Sequence, residues 1–393
     1  MAATIPGRKV YKFRMEPTGL EALELERAAS VARFVYNWAL GQSKQYYQQY
    51  GKSKPWGELS ADLTQLKRTE RWLNDFDSQM LQQALADLKR AFINFFEGRA
   101  KFPRFKTKKR SRLGFRIPQR VRVEDERVYV PSVGWIRIRQ SQAIEFATKS
   151  ATFKRTAVGH WFVMLVVEFE MPATTVPVRQ QEAVSFDMVL VPPNFLVDSD
   201  GGEVPAPRYY RARERKLRRA QKHLSRTKTN SRNRTKARRR VAKIQERTAN
   251  LRQDFLHKLS HFIVATWSVV CFEDLSLKSL AKTKHAKSWL DAAFGELLRQ
   301  IKYKTLWNSK HFVQVDRFFT STQLCSECGY QNRSLSLYDR QWSCPTCATH
   351  HIRDFNSANN VKIEGLRIVA AGYPETLNAC GLRVSLAEAS IAG

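Results

Sequence analysis

The sequence is short of acid. Its 393 residues carry 36 Asp and Glu against 67 Lys and Arg, a formal net charge of +31. That excess goes far beyond what solubility requires and implies a polyanionic partner, either nucleic acid or an anionic membrane surface. Long apolar runs are also missing. The longest, FIVATWSVVCF from Phe262 to Phe272, is 11 residues and stops at Glu273, too short to span a bilayer. A peripheral membrane binder would gather its cations on one face of an amphipathic helix, with bulky apolar residues opposite. Here basic residues run through every segment, interleaved with Tyr, Trp and Phe, and this favours nucleic acid. Neither Gly-x4-Gly-Lys-Ser/Thr nor Gly-x-Ser-x-Gly occurs, so phosphate-loop and serine chemistry have no foothold. No repeat of solenoid period is present. What the chain does have is 43% hydrophobic and 11% aromatic residues, enough for the cores of two or three domains.

Cysteine is scarce as well, 6 in all, and four of them fall in CSECGYQNRSLSLYDRQWSCPTC, residues 325–347. Two Cys-x-x-Cys pairs separated by 15 residues give Cys325, Cys328, Cys344 and Cys347 the spacing of a four-cysteine zinc ribbon. In such a ribbon each pair turns tightly and aims two thiolates at one tetrahedral Zn2+. Gly329 suits that turn. Two disulfides or buried free thiols are the alternative; the opening residues do not read as a secretory leader, and reduced thiols are expected. Cys271 and Cys380 read as ordinary buried or tail thiols. His350 and His351 could replace a cysteine at zinc, but four cysteines already fill a tetrahedron, so backbone or phosphate contacts are expected of them.

Periodicity divides the chain. RKVYKFRMEP alternates Val10, Tyr11 and Phe13 with cations and stops at Pro17, as a short half-buried strand does. Helical spacing follows from Leu20 to Tyr50 and again from Ser78 to Phe96. In GRAKFPRFKTKKR, residues 98–110, Phe102 and Phe105 offer stacking while Lys101, Arg104 and Lys106 can meet phosphates. The other reading of that loop is a solvated basic linker with two core phenylalanines. Residues 115–170 alternate at twos with Gly and Pro punctuation, which predicts antiparallel strands in a small barrel or sheet that the N-terminal strand joins. Residues 208–252 hold 19 Lys or Arg and two Glu, with apolar residues at helical spacing on both sides of TKTNSRNR. Two long basic helices tracking a phosphate backbone are expected.

Three carboxylates sit in unfavourable places. Asp187 lies in the apolar strand pattern AVSFDMVL, Glu273 directly follows WSVVCF, and Asp354 opens the helical DFNSANNVKI. An ionised carboxylate in such surroundings costs several kcal/mol unless a cation or several donors compensate it. If the two strands are neighbours and the helix packs on them, the three form a cluster of hard oxygen ligands suited to Mg2+ or Mn2+. Two such ions are the usual apparatus for cutting a phosphodiester.

The order of these features resembles the TnpB family, transposon-encoded RNA-guided DNA nucleases related to compact type V CRISPR effectors. ARFVYNWAL, FPRFK, RQDFLHKLS, FEDL, TSTQLCSECG, the second cysteine pair and RDFNSANN carry the resemblance over nearly the whole chain. It implies a multidomain α+β fold: a small β-barrel (wedge) with an inserted helical recognition lobe, then an RNase H-like (RuvC) α/β nuclease domain with an inserted four-cysteine zinc ribbon. The expected boundaries are a wedge strand at 1–20, the recognition lobe at 21–114, the rest of the wedge at 115–180, nuclease at 181–320, ribbon at 321–348, nuclease again at 349–375 and a tail at 376–393. Asp187, Glu273 and Asp354 would be the catalytic, metal-binding triad. The implied partners are a guide RNA, transposon-derived or CRISPR-type, and double-stranded target DNA, with one protein per RNA, no membrane, and a prokaryotic cytoplasmic, nucleoid-associated location. Family members also read a short target-adjacent duplex motif; Trp56, Ser78 and Gln82 stand at matching places, and Arg353 beside Asp354 is a further expected nucleic-acid contact.

The chain departs from the family pattern where Gly-x-Asp-x-Gly has become Ser185-x-Asp187-x-Val189, and where His-Asp-Arg-Asp has become His351-Ile352-Arg353-Asp354. Side chains at the glycine positions could narrow the metal site. Two functions therefore follow: an RNA-guided, Mg2+-dependent DNA endonuclease, or an RNA-guided DNA-binding repressor with an impaired nuclease site. A ribbon-bearing transcription factor is a third reading, but it leaves the buried acids unexplained.

Overall fold

A computed structural model describes residues 4–108, 113–172, 178–189, 194–336, 339–371, 376–377 and 383–384. Cys380 and most of the 376–393 tail lie outside the described residues. The chain divides into two compact units, Arg8–Phe169 and Met1–Gly7 with Glu170–Gly393.

In the first unit, β1 (Thr4–Met15) turns Tyr11, Phe13 and Met15 inward at alternate positions, as the two-residue period of a strand requires. Helix α1 (Gly19–Tyr50) starts in a capping box. Thr18 accepts from the Glu21 N–H while the Glu21 carboxylate accepts from the Thr18 N–H, and the helix stops at Gly51 in a left-handed conformation, φ 67°. Helices α2 (Trp56–Thr69) and α3 (Ser78–Phe96) follow, the second capped by Asp77. The strands β2 (Gly114–Ile117), β3 (Val123–Glu124), β4 (Arg127–Val130), β5 (Gly134–Arg139), β6 (Thr148–Arg155) and β7 (Trp161–Pro172) complete a seven-stranded sheet ordered β2-β6-β7-β1-β5-β4-β3. The N-terminal strand thus lies inside this sheet. Leu25, Val35, Leu81 and Leu88 of the helices are buried in the same apolar cluster as Phe13, Phe153 and Val163 of the strands. The residues expected to divide into a helical lobe and a wedge therefore share one core.

The second unit is built on a five-stranded sheet of β8 (Ala183–Met188), β9 (Asn194–Asp198), β10 (Glu203–Pro205), β11 (Val269–Glu273) and β12 (His311–Val315), ordered β10-β9-β8-β11-β12. β8, β11 and β12 run parallel, while β9 and β10 are antiparallel additions. Between β10 and β11 come α4 (Tyr209–Arg226) and α5 (Arg232–Thr266), the two basic helices, zipped by Leu217, Ala220, Val241 and Ile244. Short α6 (Leu277–Leu280) and α7 (Ala286–Ala292) lead into α8 (Phe294–Trp307).

The sheet is covered on both faces. Val184, Phe186, Val270 and Phe272 meet α5 and α8 through Leu256, Ile263, Phe294 and Leu297. Ala183, Val269, Cys271 and Val313 point the other way, toward Val361 of α9 (Arg353–Ala370). Burial of both faces is why β8 and β11 read as unbroken apolar runs rather than alternating ones. The run Phe262–Phe272, which reads as continuous, is split at Thr266 between the end of α5 and the start of β11. Between β12 and α9 the chain forms a small ribbon whose strands β13 (Gln341–Ser343) and β14 (His350–Ile352) place Trp342 opposite His351. Its second strand therefore lies beyond the expected ribbon boundary at 348.

Candidate metal centre and nucleic-acid interface

β8 and β11 pair in parallel with Phe186 opposite Phe272, so the next residues, Asp187 and Glu273, stand side by side where the strands end. Side chains alternate faces along a strand. Asp187 shares a face with Ser185, whose hydroxyl donates to the Ala358 carbonyl of α9, and Glu273 shares a face with Cys271, which packs against Gly365 of α9. Both carboxylates thus face the helix whose first turn carries Asp354. All three are half-buried.

The cluster is electrostatically strained. Burial first, then the negative charges of Glu273 and Asp354, push the Asp187 carboxyl up to about 7, against the pull of the Met188 backbone N–H and Arg353. Arg340 and Arg353 lie 3.6 and 3.8 Å from Asp354 Oδ1, and the Ser321 hydroxyl donates to Glu273. The donor set fits a hard divalent cation: the charges of Glu273 and Asp354 raise the proton affinity of Asp187, and a bound cation would relieve that crowding. The three carboxylates are not all within 4.8 Å of one another, since among the described residues only the four cysteines form a group that tight.

Of the family's two glycine positions, Ser185 is buried and used to hold α9. Val189 instead lines a cleft of about 230 Å³ with Asn194, Arg208 and Arg211.

In the ribbon, Cys325, Cys328, Cys344 and Cys347 bring their sulfurs together, with Cys325 to Cys347 at 3.6 Å and Cys328 to Cys344 at 3.5 Å. Each pair closes the same turn. The N–H of Gly329 donates to the Cys325 carbonyl and that of Ala348 to the Cys344 carbonyl, both at 2.9 Å. Both turn residues are left-handed, with φ 75° and 58°, and glycine fills only the first. Hydrogen bonds from the Thr349 hydroxyl and backbone N–H hold the Cys347 thiol down to about 6, ready to act as a thiolate ligand. Four sulfurs in this arrangement fit Zn2+. His351 is buried, packs its ring 4.8 Å from that of Trp342 at a tilt and sets its Nε2 3.0 Å from Cys325 Sγ. Its expected role at backbone or phosphate is corrected to one inside the ribbon, because burial removes it from any external ligand. His350 stays exposed.

The first unit carries the remaining expected residues. Ser78 and Gln82 line a cleft of about 590 Å³ with Asn74 and three cations the sequence alone did not single out, Lys67, Arg68 and Arg71. Lys67 Nζ donates to Ser78 Oγ at 2.8 Å, and the Ser60 hydroxyl donates to Gln82 Oε1 at 3.2 Å. Trp56 is not brought to this cleft's lining; it is half-buried against the core, 6.1 Å from the Phe92 ring.

Phe102 and Phe105 are 41% and 49% exposed, so they are not the core phenylalanines of a solvated linker. Lys44 sits over both rings, 5.6 and 4.9 Å from their centroids, and Arg104 is exposed between them. Asn37 pins the loop: its amide donates to the Lys106 carbonyl at 2.8 Å and accepts from the Lys106 N–H at 2.7 Å. ARFVYNWAL and FPRFK, far apart in sequence, are therefore one structural feature.

Among the described residues no helix is long and apolar enough to cross a membrane. Residues 165–284 match a family model described as "Probable transposase" (OrfB_IS605), and residues 294–361 one described as "Cas12f1-like, TNB domain". Residues 7–52 match one described as a helix-turn-helix domain, although the structure there is one strand followed by one unbroken helix. The chain is 35% identical to a Streptomyces pristinaespiralis protein named "Putative RNA-guided DNA endonuclease", across 93% of this chain and 91% of that one. It is 31% identical to the Escherichia coli K12 protein "Putative RNA-guided DNA endonuclease InsQ", across 93% and 94%. The structure of a Cas12f1-sgRNA-target DNA complex shares the fold, with a TM-score of 0.54 at 12% identity over 91% of this chain and 99% of that one.

Proposed function

The chain belongs to the TnpB (OrfB_IS605) family, and on that premise we propose that it is an RNA-guided DNA endonuclease. Its RuvC-type site on an RNase H-like sheet would hydrolyse target DNA next to a short duplex motif. The observation that carries this reading is the placement of Asp187 and Glu273 at adjacent in-register strand ends facing the first turn of α9, where Asp354 lies. Relatives named as RNA-guided DNA endonucleases over nearly the whole chain support it.

Asp187, Glu273 and Asp354 would hold Mg2+ or Mn2+, which supplies the positive charge that lowers the pKa of an attacking water and stabilises the departing oxygen of a phosphodiester. Asp187, whose proton affinity is raised by burial and by its neighbours, would hold that cation as the ionised carboxylate. Arg340 and Arg353 lie beside Asp354 and stand where a phosphate could be met. Cys325, Cys328, Cys344 and Cys347 would hold Zn2+, whose binding energy folds the ribbon. Guide RNA and target are read by base pairing, with the protein supplying backbone contacts from α4 and α5. The cleft of Ser78 and Gln82, with Trp56 nearby in sequence, and the Phe102-Arg104-Phe105 loop supply contacts to the adjacent duplex and the backbone.

The test uses protein purified with the RNA that accompanies it and a DNA duplex matched to that RNA. Cleavage is expected in Mg2+, while Asp187→Ala, Glu273→Ala and Asp354→Ala bind the duplex without cutting it. Ser185 and Val189, standing where the family has glycine, favour a second reading, an RNA-guided repressor. Tight guide-dependent binding by the unmodified protein with no cut in either Mg2+ or Mn2+ would establish that reading instead.

A further inference from the structure

Four buried polar residues join the root of the ribbon to the end of β11, and none of them belongs to the triad or the cysteine set. Ser321, Asn356, Ser357 and Asn360 are each 5% exposed or less. Burying that many polar groups is costly unless each finds a partner, and here the partners form a chain. The Ser357 hydroxyl of α9 donates to Ser321 Oγ at 3.0 Å, and the Ser321 hydroxyl donates to Glu273. The Asn360 amide donates to the carbonyls of Ser321 and Leu324, at 2.8 and 2.7 Å. The Asn356 amide donates to the Leu324 carbonyl at 2.6 Å, and its oxygen accepts from the Ser326 N–H at 3.0 Å. Cys325 is thus clasped on both sides by the helix that carries Asp354.

We propose that Ser321 is a positioning residue for Glu273, and that Asn356, Ser357 and Asn360 hold Ser321 in place by clamping the ribbon root onto α9. The inference rests on the nuclease reading of Glu273. A carboxylate has two oxygens and rotates freely unless one is held; the Ser321 hydroxyl holds Oε1 and leaves Oε2 for a cation. The clamp also makes the distance between Glu273 and Asp354 a property of one helix face, since Ser357 and Asn360 lie one and two turns beyond Asp354. The cysteine ribbon thereby acquires a second consequence: its folding fixes the segment from which Ser321 reaches the carboxylate.

The experiment compares Ser321→Ala, Ser321→Thr and Ser357→Ala with the unmodified protein, each purified with its RNA and loaded on a matched duplex. Mn2+ binding is followed by electron paramagnetic resonance, zinc content by metal analysis, and cleavage at saturating duplex. Ser321→Ala is expected to weaken Mn2+ binding and slow cleavage by about 10-fold or more, the usual cost of losing a hydrogen bond to a metal-binding carboxylate. Duplex affinity and zinc content should stay unchanged. Ser321→Thr, which keeps the hydroxyl, should recover both, and Ser357→Ala should show a smaller loss. Equal Mn2+ binding in Ser321→Ala and the unmodified protein overturns the proposal. So does loss of zinc that Ser321→Thr does not restore, because Ser321 is then a folding residue. If the unmodified complex does not cut at all, the nuclease reading fails, while the Mn2+ comparison still decides for or against the role of Ser321.

Discussion

At the scale of single residues the informative group is Asp187, whose carboxyl is pushed up to about 7 by burial and by Glu273 and Asp354. Between its unfolded value of 3.8 and about 7 the folded chain keeps a proton that the unfolded chain has lost. Stability rises with pH only where the unfolded state binds more protons, so here it must fall. The contribution of Asp187 is therefore fully present below pH 3.8 and is lost as pH rises through about 7. Asp187→Asn, which does not titrate, should remove this slope. Denaturation of protein without added divalent cation is expected to show the Asn variant gaining on the unmodified chain between pH 5 and pH 8; parallel curves would contradict the cluster. Adding Mg2+ at pH 8 should raise the unmodified protein's midpoint but not the variant's, because a cation that binds only the folded state stabilises it. Asp187 and Glu273 were legible in the sequence because they interrupt apolar strand patterns, and Asp354 because it opens a helical segment beside the cysteine ribbon. Ser321, Ser357 and the two asparagines were not, since a hydroxyl or amide in a polar stretch looks the same whether it faces water or a carboxylate. His351 misled for the same reason, as nothing local marks it as buried against Cys325.

At the scale of elements the two units differ in how plainly their periodicity shows. The first strand, α1, α3, the antiparallel strands and the basic pair α4 and α5 each announce themselves through a period of two or of about 3.6. β9, β10 and β12, at five residues or fewer, escape because so short a run cannot display a period. The packing of α9 on the sheet entered the sequence reading only as a condition for the carboxylate cluster, and it depends on one glycine. A methyl group at Gly365 would lie 2.3 Å from Cys271 Sγ and 3.1 Å from its Cβ, so the helix backbone rests directly on the Cys271 side chain. Alanine would favour the helix by about 1 kcal/mol on propensity, while overpacking a buried site costs about 1–3 kcal/mol. Gly365→Ala should therefore destabilise the second unit, and Cys271→Ala in the same chain should return most of the loss by clearing the space. A thermal double-mutant cycle measures this coupling; additive effects would mean the helix simply shifts aside. Burial also pushes the Cys271 thiol up to about 12, so alkylating reagents should reach it only after α9 has come away.

At the scale of the whole molecule, charge is the feature the sequence shows first and the fold then distributes. Residues 208–252 contribute 19 of the 67 basic residues, and the structure arranges all but Arg208 and Lys228 along α4 and α5. Part of that charge has internal work: Glu214 meets Arg211, Arg218 and Lys287, and Arg252 meets Asp291. Arg238, Arg239 and Arg240 are exposed on consecutive positions of α5, fanned over most of a turn. A structural helix gains nothing from such a fan, since Arg240 falls four residues from Lys236 and Arg239 four residues from Lys243, like-charge pairs that repel. A helix laid along a phosphate backbone gains by releasing the counterions condensed there. The two cases separate in salt. Replacing the three arginines with glutamine, a comparably good helix former, should leave thermal stability unchanged or slightly raised. If they meet the backbone of single-stranded or guide RNA, the slope of log affinity against log salt should become shallower by about 0.7 for each phosphate no longer neutralised, roughly 2 in all. Titrating the accompanying RNA back onto stripped protein at several salt concentrations reads that slope directly. An unchanged slope would move the polyanion off this helix and leave the net charge of +31 to be accounted for by the first unit's cations.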